Sequence, residues 1–334
     1  MNIAIDKCRN IVNEVLLKWG FPEKDALVML DNMTEAELSG KKSHGFTNLF
    51  WYKDVVAGKY GPLNKNGAEP STAKETKISL VINGQEKTGY VVMQYAMDQS
   101  LQKVKDLGFI STALTRTAPT IGFIGSFAKR AAKEGYIFIC FSGAGNSTSP
   151  YGVTKKMVGT NPIAIGIPTG GVPIILDMAT AATTYANLLR SKTLGLPISE
   201  NVGIEASGNL TNSPDAVLDG GSLIPFGGYK GSGISIMVEL LAGALTDSKL
   251  GPNNIPYWGT FFILLDPTLF QDRNEFHKEV ITYRDQLKNS PKRPGFEDVY
   301  LPGEKSQRVY EETLKTGVIN IDDNFFDRLK KIAF

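Results

Sequence analysis

One stretch limits how this chain folds more than any other: Pro225-Phe226-Gly227-Gly228-Tyr229-Lys230-Gly231-Ser232-Gly233, followed at once by an apolar run from Ile234 to Leu245. Four glycines surround one lysine. Glycine brings backbone N–H groups close to a ligand with no Cβ in the way. The first turn of a helix adds unpaired N–H donors and a partial positive charge. Together these suit a phosphate or a carboxylate, and Lys230 adds a full charge. A tight loop feeding a buried helix explains the same residues equally well. Two dinucleotide and nucleotide signatures are absent. The spacing is not the Gly-x-x-x-x-Gly-Lys-Ser/Thr of a Walker A loop, and no Gly-x-Gly-x-x-Gly follows an early strand.

Hydrophobic periodicity supplies the surrounding elements. Cys8, Ile11, Val12, Val15, Leu16 and Trp19 recur at helical spacing, so residues 4–19 read as a helix that Gly20 ends. Pro22 opens a second helix towards Leu38, which Gly40 stops. Lys41-Lys42-Ser43-His44-Gly45 follows, then a third helix from Phe46 to Val56. The polar stretch from Gly58 to Glu75, with its Gly and Pro punctuation, reads as a boundary. Beyond it, strands are expected at 77–83, 109–115, 136–141, 163–168, 173–180 and 261–266. Helices are expected at 91–107, 121–134, 181–191, 273–288, 306–315 and 322–331, besides the long one from Gly233. Residues 142–158 and 192–224 are poorly patterned and rich in Gly, Asn and Ser. The elements do not alternate as βαβα, which argues against an N-terminal Rossmann unit. Helices occupy both chain ends and the sheet lies in the middle.

Composition excludes several classes. A formal net charge of +2 over 334 residues, with no basic run, points away from nucleic acid and anionic membranes. The apolar run at Ile234 contains Glu239 and is too short to span a bilayer. The opening residues, Met1 to Asp6, do not resemble a signal peptide. Cys8 and Cys140 are too few for a disulfide framework and fit a reducing cytoplasm. With only His44 and His277, a His-rich metal site is excluded and no metal is expected.

Five short motifs occur in order: Ser43-His44-Gly45, Gly159-Thr160-Asn161-Pro162, Asp177-Met178-Ala179-Thr180, the 225–233 stretch, and Leu301-Pro302-Gly303-Glu304. In this order and with these gaps they resemble the malate/L-lactate dehydrogenase family of the second type. That family includes L-sulfolactate, ureidoglycolate and 2,3-diketo-L-gulonate oxidoreductases and Δ1-piperideine-2-carboxylate reductases. The resemblance covers nearly the whole chain. It implies an α/β fold with a non-Rossmann mixed-sheet domain that binds NADH or NADPH, a helical domain from both termini, and a small inserted segment. In this chain the division would be 1–72 plus 305–334 for the helical domain, 73–118 plus 170–304 for the cofactor domain, and 119–169 for the insertion. It also implies a homodimer with active sites near the subunit interface, and hydride transfer with a small 2-keto acid, 2-hydroxy acid or cyclic imino acid.

Chemistry and resemblance together nominate the site residues. Reducing a ketone needs a proton for the developing alkoxide, and His44 has a suitable pKa range; a surface or helix-capping histidine is the plain alternative. Tyr52 is either a nearby hydrogen-bond donor or an amphipathic core residue. His277, on a polar helix, is expected to be solvated. By resemblance, Asp177, Met178 and Ala179, Tyr229 and Lys230, and Gly303, Glu304 and Lys305 contact the dinucleotide, while Thr160 and Asn161 lie close to the nicotinamide. Asp177 reads equally well as a helix cap, and Thr160-Asn161-Pro162 as a structured turn.

The chain departs from its relatives at two positions. Many carry an arginine four residues after the histidine, where this chain has Asn48. Asparagine can hydrogen-bond a carboxylate but cannot neutralise it. Several carry a second histidine where this chain has Thr120. Either the substrate differs, being less charged or having its carboxylate meet Arg116 or Arg190 instead, or the dehydrogenase activity has been lost. Three readings follow: a cytoplasmic NAD(P)-dependent oxidoreductase on a small carbonyl or hydroxy compound, a cyclic-imine reductase, and a non-catalytic nucleotide- or metabolite-binding relative.

Overall fold

The computed structural model describes residues 2–253, 255–321 and 326–329. In chain order the elements are β1 (Asn2–Ala4), α1 (Ile5–Lys18), α2 (Glu23–Leu38), α3 (Asn48–Val56), β2 (Ser71–Glu75), β3 (Ser79–Asn83), α4 (Gly89–Leu107), β4 (Phe109–Thr115), α5 (Ile124–Lys133), β5 (Ile137–Ser142), β6 (Ile163–Ile167) and β7 (Ile174–Met178). There follow α6 (Tyr185–Leu194), β8 (Gly203–Ile204), α7 (Pro214–Leu218), β9 (Ser222–Leu223), α8 (Tyr229–Ala242), β10 (Thr260–Leu265), α9 (Arg273–Asn289), α10 (Glu304–Thr316) and β11 (Val318–Asn320). The helix expected over 322–331 falls largely outside the described residues.

Seven strands form one mixed sheet in the order β2-β3-β4-β10-β5-β6-β7. Only β3 and β4 run parallel; every other neighbouring pair is antiparallel. A doubly wound Rossmann sheet is parallel throughout its core, so the fold is a mixed-sheet α/β one, as the irregular order of elements predicts. The alternating strands β4, β5 and β10 turn Ile110, Leu114, Phe138, Cys140, Phe262 and Leu264 inward, against Val92, Met93, Met97 and Leu101 of α4 and Phe127, Ala128 and Ala131 of α5. Helix α8 packs along β5 and β10.

A second core belongs to the chain ends. Helices α1, α2 and α3 bury Val12, Val15, Leu16, Met29, Met33 and Leu49 together with Ile319, Ile321, Phe326 and Leu329. Strand β1 pairs antiparallel with β11, Ile3 opposite Ile319, and so ties the two ends. A third, smaller cluster gathers Leu188, Ile198, Val202, Val217 and Leu223 around the β8–β9 pair. Residues 119–169 supply α5, β5 and β6 to the sheet layer.

Several elements differ from the periodicity reading. Strand β2 lies in what reads as a boundary; at the edge of the sheet it is mostly exposed, so it carries no alternation to find. The short β8 and β9 and helix α7 order part of 192–224. Helix α8 begins at Tyr229, four residues before Gly233, so Lys230 and Gly231 are helical.

Candidate active site

The site is built at the end of α2. Gly40 is left-handed, with φ +71; its N–H bonds Glu37 O at 3.1 Å and the Lys41 N–H bonds Ala36 O at 2.8 Å. These are the two bonds of a Schellman stop. The chain then turns sharply: Lys41 O accepts from His44 N at 2.9 Å and from Gly45 N at 3.1 Å. Buried Glu37 braces the turn from behind. Its carboxylate takes the Phe46 N–H at 3.2 Å and pairs with the Lys42 ammonium. A Cβ on Gly45 would stand 2.1 Å from Glu37 Oε2 and would push that carboxylate off its partners. Ser43 Oγ lies 3.0 Å from His44 Nδ1.

This turn opens onto a cleft of about 700 Å³. On its wall stand His44, Asn48, Thr120, Thr160, Asp177, Met178 and Ala179. Asp177 ends the outer strand β7 and accepts the N–H of Gly125, in the first turn of α5, at 2.8 Å, a favourable place for a negative charge. His44 and Asp177 keep some surface open to the cleft, yet protein encloses both and withholds solvation. Burial lowers the His44 pKa below 6.5; the Asp177 charge opposes this and the Lys41 charge adds to it. Burial raises the Asp177 pKa, against the His44 charge, the Gly125 N–H and Lys41. At neutral pH His44 is therefore an uncharged base whose protonated form has a carboxylate at hand.

The remaining nominated residues sit elsewhere. Tyr52 is fully buried in the helical core among Trp19, Phe21, Trp51 and Tyr90, off the cleft wall. Asn161 is buried behind the wall and donates to Glu239 Oε2 at 2.6 Å and Ser235 O at 3.1 Å, which docks the Thr160 segment on α8. Tyr229 and Lys230 head α8 on the exterior, Tyr229 being 67% exposed. Gly303 starts α10 beside β7, where Ile175 N bonds Pro302 O at 3.2 Å. Glu304 pairs with Lys288 and Arg308, and Lys305 stacks on Tyr300. Neither alternative arginine lines the cleft: Arg116 pairs with Glu86 and lies over the Tyr257 ring, and Arg190 is exposed on α6. The Asn48 amide donates to Tyr90 Oη at 2.7 Å. His277 is half-buried with its ring against Gly170, not solvated as expected.

Sequence reading missed one side of the wall. Lys156, Lys249, Asn146 and Asn253 line the cleft. Asn146 Nδ2 donates to Gly251 O at 2.8 Å and joins the two loops that carry them. The buried Oδ1 atoms of Asn146 and Asn253 have no hydrogen-bond partner among the described residues. Lys41, Lys156 and Lys249 have no acidic partner there either. For Asn146 and Lys156 the only signal was the Ser-, Gly- and Asn-rich composition of 142–158, which also describes an ordinary loop, and Lys249 and Asn253 carried none.

Residues 3–330 match the family model for malate/L-lactate dehydrogenase. The chain is 33% identical to a malate dehydrogenase of Pyrococcus horikoshii, covering 100% of this chain and 95% of that one. It is 31% identical to an L-sulfolactate dehydrogenase of Methanocaldococcus jannaschii, over 97% of this chain and 94% of the other. A crystal structure of malate dehydrogenase from Entamoeba histolytica superposes with a TM-score of 0.90 at 27% identity, covering 100% of this chain and 97% of that one.

Proposed function

This chain belongs to the malate/L-lactate dehydrogenase family and is an oxidoreductase; on that premise we propose that it transfers a hydride between NADH or NADPH and a small 2-keto or 2-hydroxy acid, with His44 exchanging the proton. The observation that carries this reading is the enclosed His44–Asp177 pair on the wall of the cleft.

When bound, the nicotinamide supplies or accepts the hydride at the substrate carbon. The residues of the chain handle the rest. With Nδ1 engaged by Ser43, Nε2 is the nitrogen free to exchange a proton. Neutral His44 takes the hydroxyl proton in oxidation, and the imidazolium returns it to the developing alkoxide in reduction. Asp177 stabilises the charged ring that forms in between. The wall suits a dinucleotide: among the described residues, Asn146 and Asn253 hold buried carbonyl oxygens with no hydrogen-bond partner, and Lys156 and Lys249 carry charges with no acidic partner. These residues would take the phosphates and ribose hydroxyls, with Thr160, Met178 and Ala179 beside the nicotinamide.

The oligomer is part of the proposal. Ile236, Met237 and Leu240 form an exposed apolar stripe along α8, Met237 being 53% exposed. Such a stripe is unusual on a free surface, and a second copy covers it in a homodimer, with Tyr229 and Lys230 at the head of that interface. Light scattering that returns a monomer would count against this. Two free, buried cysteines fit a cytoplasmic location. Among the described residues no helix is long and apolar enough to cross a membrane.

The test is a fluorescence titration with NADH and, separately, NADPH, followed by turnover of a panel of 2-keto acids. Saturable binding of one cofactor and its oxidation by a keto acid are expected. Folded protein that binds neither would return the chain to the non-catalytic reading.

A further inference from the structure

Lys41 and Lys42 are neighbours in sequence and part company in the structure. The Lys42 ammonium pairs with Glu37 and donates to Asn320 O at 2.9 Å, so it clamps the turn to β11. Lys41 stands on the cleft wall with no acidic partner among the described residues. Its carbonyl closes the tight turn onto His44 N at 2.9 Å, so both residues issue from one turn and line the same wall. Its charge is felt at both His44 and Asp177.

The other cations are engaged or remote. Arg116 is held by Glu86, and neither it nor Arg190 lines the cleft. Lys59 pairs with Asp54. Lys156 and Lys249 also line the cleft, but they issue from the loops joined by Asn146 and Gly251, whereas Lys41 shares the turn that carries His44. Asn48 is neutral and its amide is donated to Tyr90.

We propose that Lys41 is the substrate-anchoring cation, pairing with a carboxylate on the carbon next to the one that His44 serves. The inference rests on the dehydrogenase reading and adds the residue that holds the substrate carboxylate. An ammonium is a point charge on a flexible stem, not a planar fork. It therefore neutralises the carboxylate without fixing its plane, a task left to hydrogen-bond donors on the same wall, of which the Thr120 hydroxyl is one.

The experiment is calorimetric titration of oxamate, a 2-oxo acid analogue that cannot be reduced, into the full chain with and without saturating NADH or NADPH. Lys41→Gln should weaken oxamate binding about ten- to hundredfold, the size of a charge-assisted hydrogen bond. Lys41→Arg, which keeps the charge, should recover most of it, and this variant guards against a folding defect in Lys41→Gln. Removing the Lys41 charge should also raise the His44 pKa, moving the acid limb of hydroxy-acid oxidation to higher pH; a purely structural role would leave it in place. Wild-type affinity in Lys41→Gln, or no oxamate binding by the wild type, overturns the proposal. Turnover of keto acids by the wild type judges the dehydrogenase reading separately. Its absence alongside Lys41-dependent oxamate binding would sink that reading and keep the anchor.

Discussion

Two glycine-bearing turns border helices in this protein, and they line different cavities. Ser43-His44-Gly45 follows α2 and opens into the cleft. Gly227-Gly228 precedes α8 and leaves Tyr229 and Lys230 on the exterior. In each, glycine answers a backbone need. Gly45 makes room for the Glu37 carboxylate; Gly227 and Gly228 take φ of +58 and +61, and a Cβ on Gly231 would meet Phe226 O at 1.9 Å. A glycine cluster therefore reports how the chain must turn. Whether chemistry meets it depends on the side chains around it: His44, Asp177 and Thr120 line the cavity beside the poorer cluster, while the smaller cavity beside Gly227 and Gly228 holds no histidine or carboxylate among its lining residues.

The largest expected effect lies at the first turn. His44→Ala should lower kcat by about 10²–10⁴-fold with cofactor affinity little changed, measured by steady-state kinetics and NAD(P)H fluorescence. Near-normal turnover would dissolve the contrast between the turns. A smaller effect separates their glycines. Gly45→Ala should cost about 1–3 kcal/mol of stability, as overpacking against a buried group does. Gly233→Ala, with nothing within 4 Å of the added methyl, should be neutral or gain up to about 1 kcal/mol through helix propensity. Urea unfolding of both variants checks the pair, and equal losses would break the argument.

The subtlest effect is on pH. Oxidation of a hydroxy acid needs neutral His44, so activity is lost as pH falls through the His44 pKa. Burial has lowered that pKa below 6.5, which places the acid limb below 6.5. Asp177→Asn removes the charge that opposes the lowering, so the limb should move further down. A shift upward in the pH profile would show that Asp177 does not act on His44 through its charge.

Much of the fold was legible because it is local. Helix α1 is spaced by Cys8, Ile11, Val12, Val15 and Leu16, and all five are buried. Strand β10 reads from its apolar run, and α2 ends at the glycine that stops it. Strand β2 was illegible because an exposed edge strand needs no apolar alternation. Residue type nominated His44 and motif order nominated Asp177, and both line the cleft. Asn146, Lys156, Lys249 and Asn253 were not nominated, because polar residues in loops look alike whether they meet solvent or a cleft.

The sequence by itself determined the principal helices and core strands, the absence of a Rossmann unit and the family, since these depend on spacing within short windows and on motif order. Tertiary structure alone decided which side chains share a cavity. It sent Tyr52 into the helical core, Asn161 to Glu239, Lys42 to Glu37 and Asn320, and Lys41 to the wall beside His44. The reason is physical: burial and Coulomb interaction depend on distances between segments remote in sequence. His44 after α2 and Asp177 at the end of β7 become a pair only when the helical core docks on the sheet.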